Sequence, residues 1–239
     1  MADDFATPKK GMGAGTQAVA AVALVAVVVG GMWGLRGLDD TSPQTPEDRK
    51  PATCSPTHDA PPSERVSGAQ LCTALNRRDL PTLLGTPEER AKTAGGSESW
   101  VTLAGGTKIA TPESTVELET YSVKLSASYD HERVGQSAGL LGETAQAKTV
   151  LGRPAVLYSD RTIAISFDLS DGKASNTDTG PGGIARTLVI AKDPKDRGGS
   201  FELAIWRQDG GMPDDEALLR VAKKVLPTIP GWTTGRQHP

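Results

Sequence analysis

Aromatic side chains are scarce in this 239-residue chain, at 4% of the composition. A core with so few rings must be filled by Val, Leu, Ile and Ala. Cysteine is nearly missing: Cys54 and Cys72 are the whole complement, and their spacing is neither C-x-x-C nor a zinc pattern. Histidine is limited to His58, His131 and His238, which lie far apart with no partner at ligand spacing, so the sequence offers no metal centre. Clustered Lys and Arg are also lacking and the net charge is −3, which argues against a nucleic-acid partner. Gly11, Gly13 and Gly15 follow no strand, so they make no phosphate-binding loop. The residues imply no cofactor.

What the chain does have is one long apolar run. Residues 18–35, AVAAVALVAVVVGGMWGL, contain neither charge nor proline. As a helix the run covers roughly 27 Å, close to the hydrocarbon thickness of a bilayer. Inside lipid each backbone polar group must be satisfied within the segment, so the expected structure is a single transmembrane helix over 16–36. Lys9 and Lys10 precede the run, and Arg36 with Asp39 and Asp40 follows it. This bias places the N-terminal tail, 1–15, in the cytoplasm and the remainder outside. The apolar core is longer than that of a cleaved signal peptide, and no small-residue cleavage site follows it. Ala26, Gly30 and Gly34 recur every four residues. Small residues at that spacing let two membrane helices approach closely, so a homodimer through the anchor is one expectation.

Residues 37–65 form a Pro-rich linker, with Pro43, Pro46, Pro51, Pro56, Pro61 and Pro62 among Ser, Thr and charged residues. Such a composition cannot bury enough apolar surface to offset its ordering entropy. Outside the cell a Cys54–Cys72 disulfide is expected. It closes a loop of about 18 residues, worth on the order of 3 kcal/mol in the chain-entropy model, and pins the second half of the linker to the domain.

The domain, 66–232, opens with a helix signature. Ser67 caps, Gln70 completes a capping box, Val66 staples onto Leu71, and Leu71, Cys72 and Leu75 share one face. Asp79-Leu80-Pro81 reads as a second cap, with Gly85 ending that helix. From about residue 98 the period changes to two. Residues 100–103 and 107–110 flank Gly105-Gly106 as a hairpin. Over 114–129 the apolar parity slips once, predicting a bulge near Thr120 or two strands in succession. Residues 130–148 read as loop with a short helix. Residues 155–158 and 162–168 read as a hairpin turning at Ser159-Asp160-Arg161, with Ile163, Ile165 and Phe167 on the buried face. Residues 171–183 read as a polar loop. Residues 186–192 and 201–208 are two more strands, with Phe201, Leu203 and Ile205 inward. A last helix, 213–226, has acids at its start, Lys223 and Lys224 at its end, and the stripe Leu218, Val221, Ala222, Val225, Leu226. The expected class is α+β: transmembrane helix, Pro-rich linker, then one antiparallel-sheet domain flanked by an N-terminal and a C-terminal helix, with a disordered tail at 233–239.

Candidate chemistry is thin. Gly135-Gln136-Ser137-Ala138-Gly139 matches G-x-S-x-G, but a nucleophile elbow needs a buried strand before the serine, and 130–134 is not one. Asp168 to Gly172, with Asn176 and Asp178, has neither the ligand order nor the closing Glu of a calcium loop. Trp100, Trp206 and Trp232 suit core filling better than a ligand groove.

Taken together, the Pro-Lys-Lys-Gly tail (8–11), the Ala/Val anchor, the spacer, SGAQLCTALNRRDLPTLLG (67–85) and LGRPAVLYSDRTIAISF (151–167) resemble a family of actinobacterial single-pass membrane proteins of unknown function. The resemblance implies a cell-envelope location and transfers no catalytic residue. More distantly, the Cys-bearing helix followed by a sheet is similar to small exported lipoproteins and sensor ectodomains, although this chain has neither a lipobox Cys nor a cytoplasmic kinase. The expected function is a membrane-anchored extracytoplasmic module that binds an envelope protein or ligand. The alternatives are an envelope hydrolase using Ser137 and an assembly subunit associating through the anchor.

Overall fold

The computed structural model describes residues 51–54, 65–98, 100–102, 106–170 and 173–232, with the backbone alone over 164–170 and 173–179. They all lie in one unit, Ser42–Pro239. The predicted tail, membrane helix with Ala26, Gly30 and Gly34, most of the linker, and 233–239 lie outside the described residues. Among those described, no helix is long and apolar enough to cross a membrane.

The first helix, α1 (Gly68–Leu75), starts as the capping box dictates. Gln70 N–H donates to Ser67 Oγ at 3.2 Å, and Ser67 N–H donates to Gln70 Oε1 at 2.8 Å. Leu71, Cys72 and Leu75 are fully buried. The next helix, α2 (Leu80–Leu84), begins with Pro81 in its first turn and stops at Gly85, whose φ of 85° is the left-handed conformation that glycine adopts without strain. Asp79 does not cap α2 with its side chain, as the sequence suggested. Its carboxylate is taken by the Arg77 guanidinium, which donates from both Nε and Nη2. A charge-assisted bidentate pair outcompetes a single cap bond.

Among the described residues nine strands follow: β1 (Thr93–Ser97), β2 (Trp100–Thr102), β3 (Lys108–Ala110), β4 (Glu113–Glu117), β5 (Tyr121–Ser128), β6 (Gln146–Val150), β7 (Arg153–Ser170), β8 (Lys173–Ala191) and β9 (Ser200–Arg207). Seven of them make one antiparallel sheet in the order β1-β4-β5-β9-β8-β7-β6, while β2 and β3 pair separately. The parity slip resolves as two strands, with residues 118–120 between β4 and β5.

Several expectations need correction. Ser159-Asp160-Arg161 is not a turn, because β7 runs straight through it. Ser159 Oγ accepts from Arg186 Nη1, so a polar residue is satisfied within the sheet. The irregularity comes one residue later: pairing passes from Arg161↔Ile184 to Ile163↔Pro181, setting Thr162 against Gly182 and Gly183. A Cβ on Gly182 would lie 2.3 Å from Thr162 Oγ1, so this bulge requires glycine. The supposed polar loop 171–183 is extended from Lys173 onward, and Ile163 is exposed rather than inward. Two strands go beyond the sequence reading: β1 lies in a stretch given no element, and β6 begins inside the segment read as loop.

The sheet buries one face against the helices. Val123, Leu125, Leu188, Leu203 and Ile205 pack in one cluster with Leu71, Leu75, Leu80 and the apolar stripe of the C-terminal helix. Taking the four-residue helix Val134–Ser137 as α3, the C-terminal helix is α4 (Asp215–Val225). Asp214 caps α4 by accepting from Glu216 and Ala217 N–H. Leu218, Val221, Ala222, Val225 and Leu226 are all fully buried. Arg186 anchors the start of α4 to the sheet through a two-pronged pair with Asp215. Behind α1, Cys54 and Cys72 form a disulfide with Cα atoms 5.9 Å apart. Residues 51–54 are also hydrogen-bonded to the domain, Ala52 N–H to Ala91 O at 3.0 Å and Asn76 Nδ2 to Ala52 O at 2.8 Å.

Candidate functional site

Side chains alternate along a strand, so the sheet that buries one face must present a second. Register across the strands arranges that second face in three rows. The first is Ser97, Glu113, Ser126, Glu202, Val189 and Val156. The second is Gly95, Thr115, Lys124, Ala204, Thr187 and Tyr158. The third is Thr93, Glu117, Ser122, Trp206, Ala185 and Asp160. Neighbouring strands stand ~4.8 Å apart and successive rows about 6.6 Å apart. The middle of this floor is small: Ala204 and Thr187 sit side by side, both buried. Lys124 and Tyr158 share their row, Glu202 and Trp206 flank Ala204 along β9, and Asp160 lies in the next row.

The charges there are unevenly matched. Lys124 Nζ lies 2.8 Å from Glu113 Oε2, and these side chains keep only 16% and 13% of their exposure. Ser97 Oγ also donates to Glu113, and Thr93 Oγ1 donates to Glu117 at 2.8 Å. Glu202 is half-buried, and among the described residues no hydrogen bond reaches its carboxylate. Burial pushes the Glu202 carboxyl above the usual glutamate range; Lys124 opposes this, while Asp160 and Glu113 add to it. The Tyr158 hydroxyl is likewise pushed up, first by burial and then by the negative charges of Glu202 and Asp160, against a hydrogen bond with Thr187. Arrays of this kind, in which burial and like charge act on the same groups, concentrate at functional sites.

One end of the floor is closed by α3 and the 3₁₀ turn Ala138–Leu140. Val134 packs with Val156 and Ala191 in a small cluster of its own. The cap on α3 comes from far along the chain. Asp196, buried and with φ 50°, accepts from Val134 N–H at 2.9 Å and Gly135 N–H at 2.8 Å. Ser137 is the last residue of α3, and its hydroxyl donates to Val134 O at 2.8 Å. The strand before it, β5, ends at Ser128, so residues 129–133 intervene where a nucleophile elbow has none.

The other residues singled out from the sequence scatter. Trp206 belongs to the floor. Trp232 packs at the edge of the main core, with the Arg153 guanidinium over its ring at 3.4 Å and Phe201 at 5.8 Å. Trp100 does not fill the core, being 57% exposed on β2. His131 is exposed, and His58 and His238 lie outside the described residues. Asp168 and Asn176 face each other near the β7–β8 tip, where Asp171 and Gly172 fall outside the described residues. Among the described residues no group of three or more His, Cys, Asp or Glu side chains is placed to hold a metal ion. Sequence reasoning missed Lys124, Tyr158, Asp160 and Glu202 as a group. The alternation of Glu202, Ala204 and Trp206 against Phe201, Leu203 and Ile205 was visible in it. The order of the strands that brings β5, β7 and β9 together was not.

A family model described as a family of unknown function, DUF6215, matches residues 9–144. The match takes in β1, β4 and β5 of the floor and stops before β6–β9. No curated protein matches the chain, and no solved structure does.

Proposed function

The chain belongs to this family of unknown function, DUF6215, and from that premise we propose that it is a membrane-anchored, extracytoplasmic binding module of the actinobacterial cell envelope, with the polar face of the sheet as its ligand surface. The observation that carries this reading is the Cys54–Cys72 disulfide. Disulfides persist on the oxidising side of a membrane and are rare where thiols are kept reduced. The apolar run at 18–35 supplies the anchor, and Lys9 and Lys10 hold the tail inside. Because 51–54 are bonded to the domain, the spacer between anchor and domain shortens to 37–50, a reach of about 40 Å when extended as polyproline. Binding is supported by the floor around Ala204 and Thr187, where side chains of both charges and two aromatic residues converge on a small centre.

The test uses intact cells and a membrane-impermeant maleimide, with and without prior reduction. Labelling that appears only after reduction is the expected outcome. Labelling that needs lysis but no reductant would put the domain in the cytoplasm and end the reading.

A further inference from the structure

We propose that the surface where the chain enters the domain lies against the membrane and binds anionic phospholipid headgroups. This rests on the chain being membrane-anchored. The first reason is the point of entry. Residues 51–54 are held at Asn76 and Ala91 by the two hydrogen bonds of Ala52, and at α1 by the disulfide. The spacer 37–50 therefore begins at exposed Pro51, beside the turn from α1 to α2. As a flexible coil it spans about 20 Å on average, and roughly 40 Å when extended as polyproline. A domain of this size is itself about 40 Å across. Running the spacer round the domain would use its full extension, so the surface around Pro51 is the one that meets the bilayer.

The second reason is charge complementarity. Arg77 and Arg78 follow Asn76, and Ala91 stands between Arg90 and Lys92. The end of α4 joins them, since Arg77 Nη1 donates to Lys224 O at 2.9 Å. The Arg77 guanidinium holds the Asp79 carboxyl below its usual range, and the Lys224 ammonium acts in the same direction. The carboxylates here are largely taken: Asp79 by Arg77, Glu119 by Lys92, and Glu89 by the N–H and hydroxyl of Thr120. Arg78, Arg90, Lys223 and Lys224 are exposed, and among the described residues no carboxylate pairs with them. Within 76–92 the remaining acid is exposed Glu88. The macrodipole of α4 accounts for Lys223 and Lys224, but Arg78 and Arg90 lie outside helices. In a chain of net charge −3, this excess of cations sits at the point of entry. Basic residues are drawn to an anionic bilayer within a Debye length, about 8 Å at physiological salt, and the spacer allows that approach.

The experiment places the full chain in lipid nanodiscs, made of phosphatidylcholine alone or of phosphatidylcholine with phosphatidylglycerol. A sulfonated N-hydroxysuccinimide ester of acetic acid then labels the lysines, and mass spectrometry reads the rate at each one. Lys92, Lys223 and Lys224 should label several-fold more slowly in the anionic discs, and high salt should remove the difference. Lys148 at the opposite edge of the sheet and Lys195 in the loop after β8 are exposed and should label alike in both. One cation beside an anionic surface shifts the docked-to-free ratio about fivefold. Arg78→Gln with Arg90→Gln, two exposed side chains whose loss leaves folding intact, should therefore bring Lys223 and Lys224 most of the way back to their rate in phosphatidylcholine. Equal rates in the two discs, equal slowing at Lys148 and Lys195, or protection that survives the double variant would each overturn the docking. A chain that enters the discs and fails in one of these ways remains membrane-anchored, whereas a chain that does not enter them ends both readings. Cytoplasmic maleimide labelling in cells would change the side of the membrane and leave the docking in place.

Discussion

Glu202 shows how the burial of one side chain ties the fold to pH. Its carboxyl is raised above the ordinary glutamate range, chiefly by burial. The folded chain therefore holds this proton at a pH where the unfolded chain has lost it. The stability contribution is fully present below the ordinary glutamate range and is lost as pH rises through the raised folded value. Glu202→Gln keeps the shape and removes the charge. The variant should match the wild type at acidic pH and exceed it at pH 8 in urea unfolding. A wild type that stays level with the variant at pH 8 would show that the carboxylate is solvated at no cost. Asp193 acts in the opposite sense: burial pushes its carboxyl up, but the backbone N–H groups of Lys195 and Arg197 and the Arg197 guanidinium hold it below the usual range, and its contribution is lost as pH falls.

Among the elements, α3 is the one least able to stand alone. Four residues cannot hold a helix in water, so its order comes from outside. Asp196 supplies it by accepting from two of the N–H groups that every helix start leaves unsatisfied. Asp196→Ala should cost about 1–2 kcal/mol. Hydrogen exchange should speed up at Val134 and Gly135 while Leu203 and Ile205 remain protected; uniform speeding across the sheet would contradict this local role. Strand β1 shows why element reading fails. A Cβ on Gly96 would lie 2.1 Å from Gly68 O, and one on Gly68 would lie 2.3 Å from Ser97 O. The start of α1 and the edge strand touch backbone to backbone, which only glycine permits. The same glycines strip the segment of β-propensity, so a real strand leaves no local signal.

At the scale of the whole molecule, the disulfide sets how much chain belongs to the domain. It joins residue 54 to α1 and thereby docks a piece of Pro-rich sequence that has no core of its own. Replacing both cysteines by alanine should cost about 3 kcal/mol in chemical unfolding, since a loop of this size is then released in the unfolded chain. A loss well under 1 kcal/mol would mean that the hydrogen bonds of Ala52 alone hold the segment.

By itself the sequence determined the elements whose signals are local. The capping box of α1, the stripe of α4, the inward parity of β9 and the pairing of the two cysteines are set by neighbours within a few residues or by there being no other thiol to choose. The tertiary structure alone decided what depends on distant partners. It ran β7 through Ser159 because Arg186 meets that hydroxyl, capped α3 with a side chain about sixty residues away, and placed β9 between β5 and β8. The floor of Lys124, Tyr158, Asp160 and Glu202 arises from that last step. Strand order follows from which faces can bury together, and no local pattern encodes it.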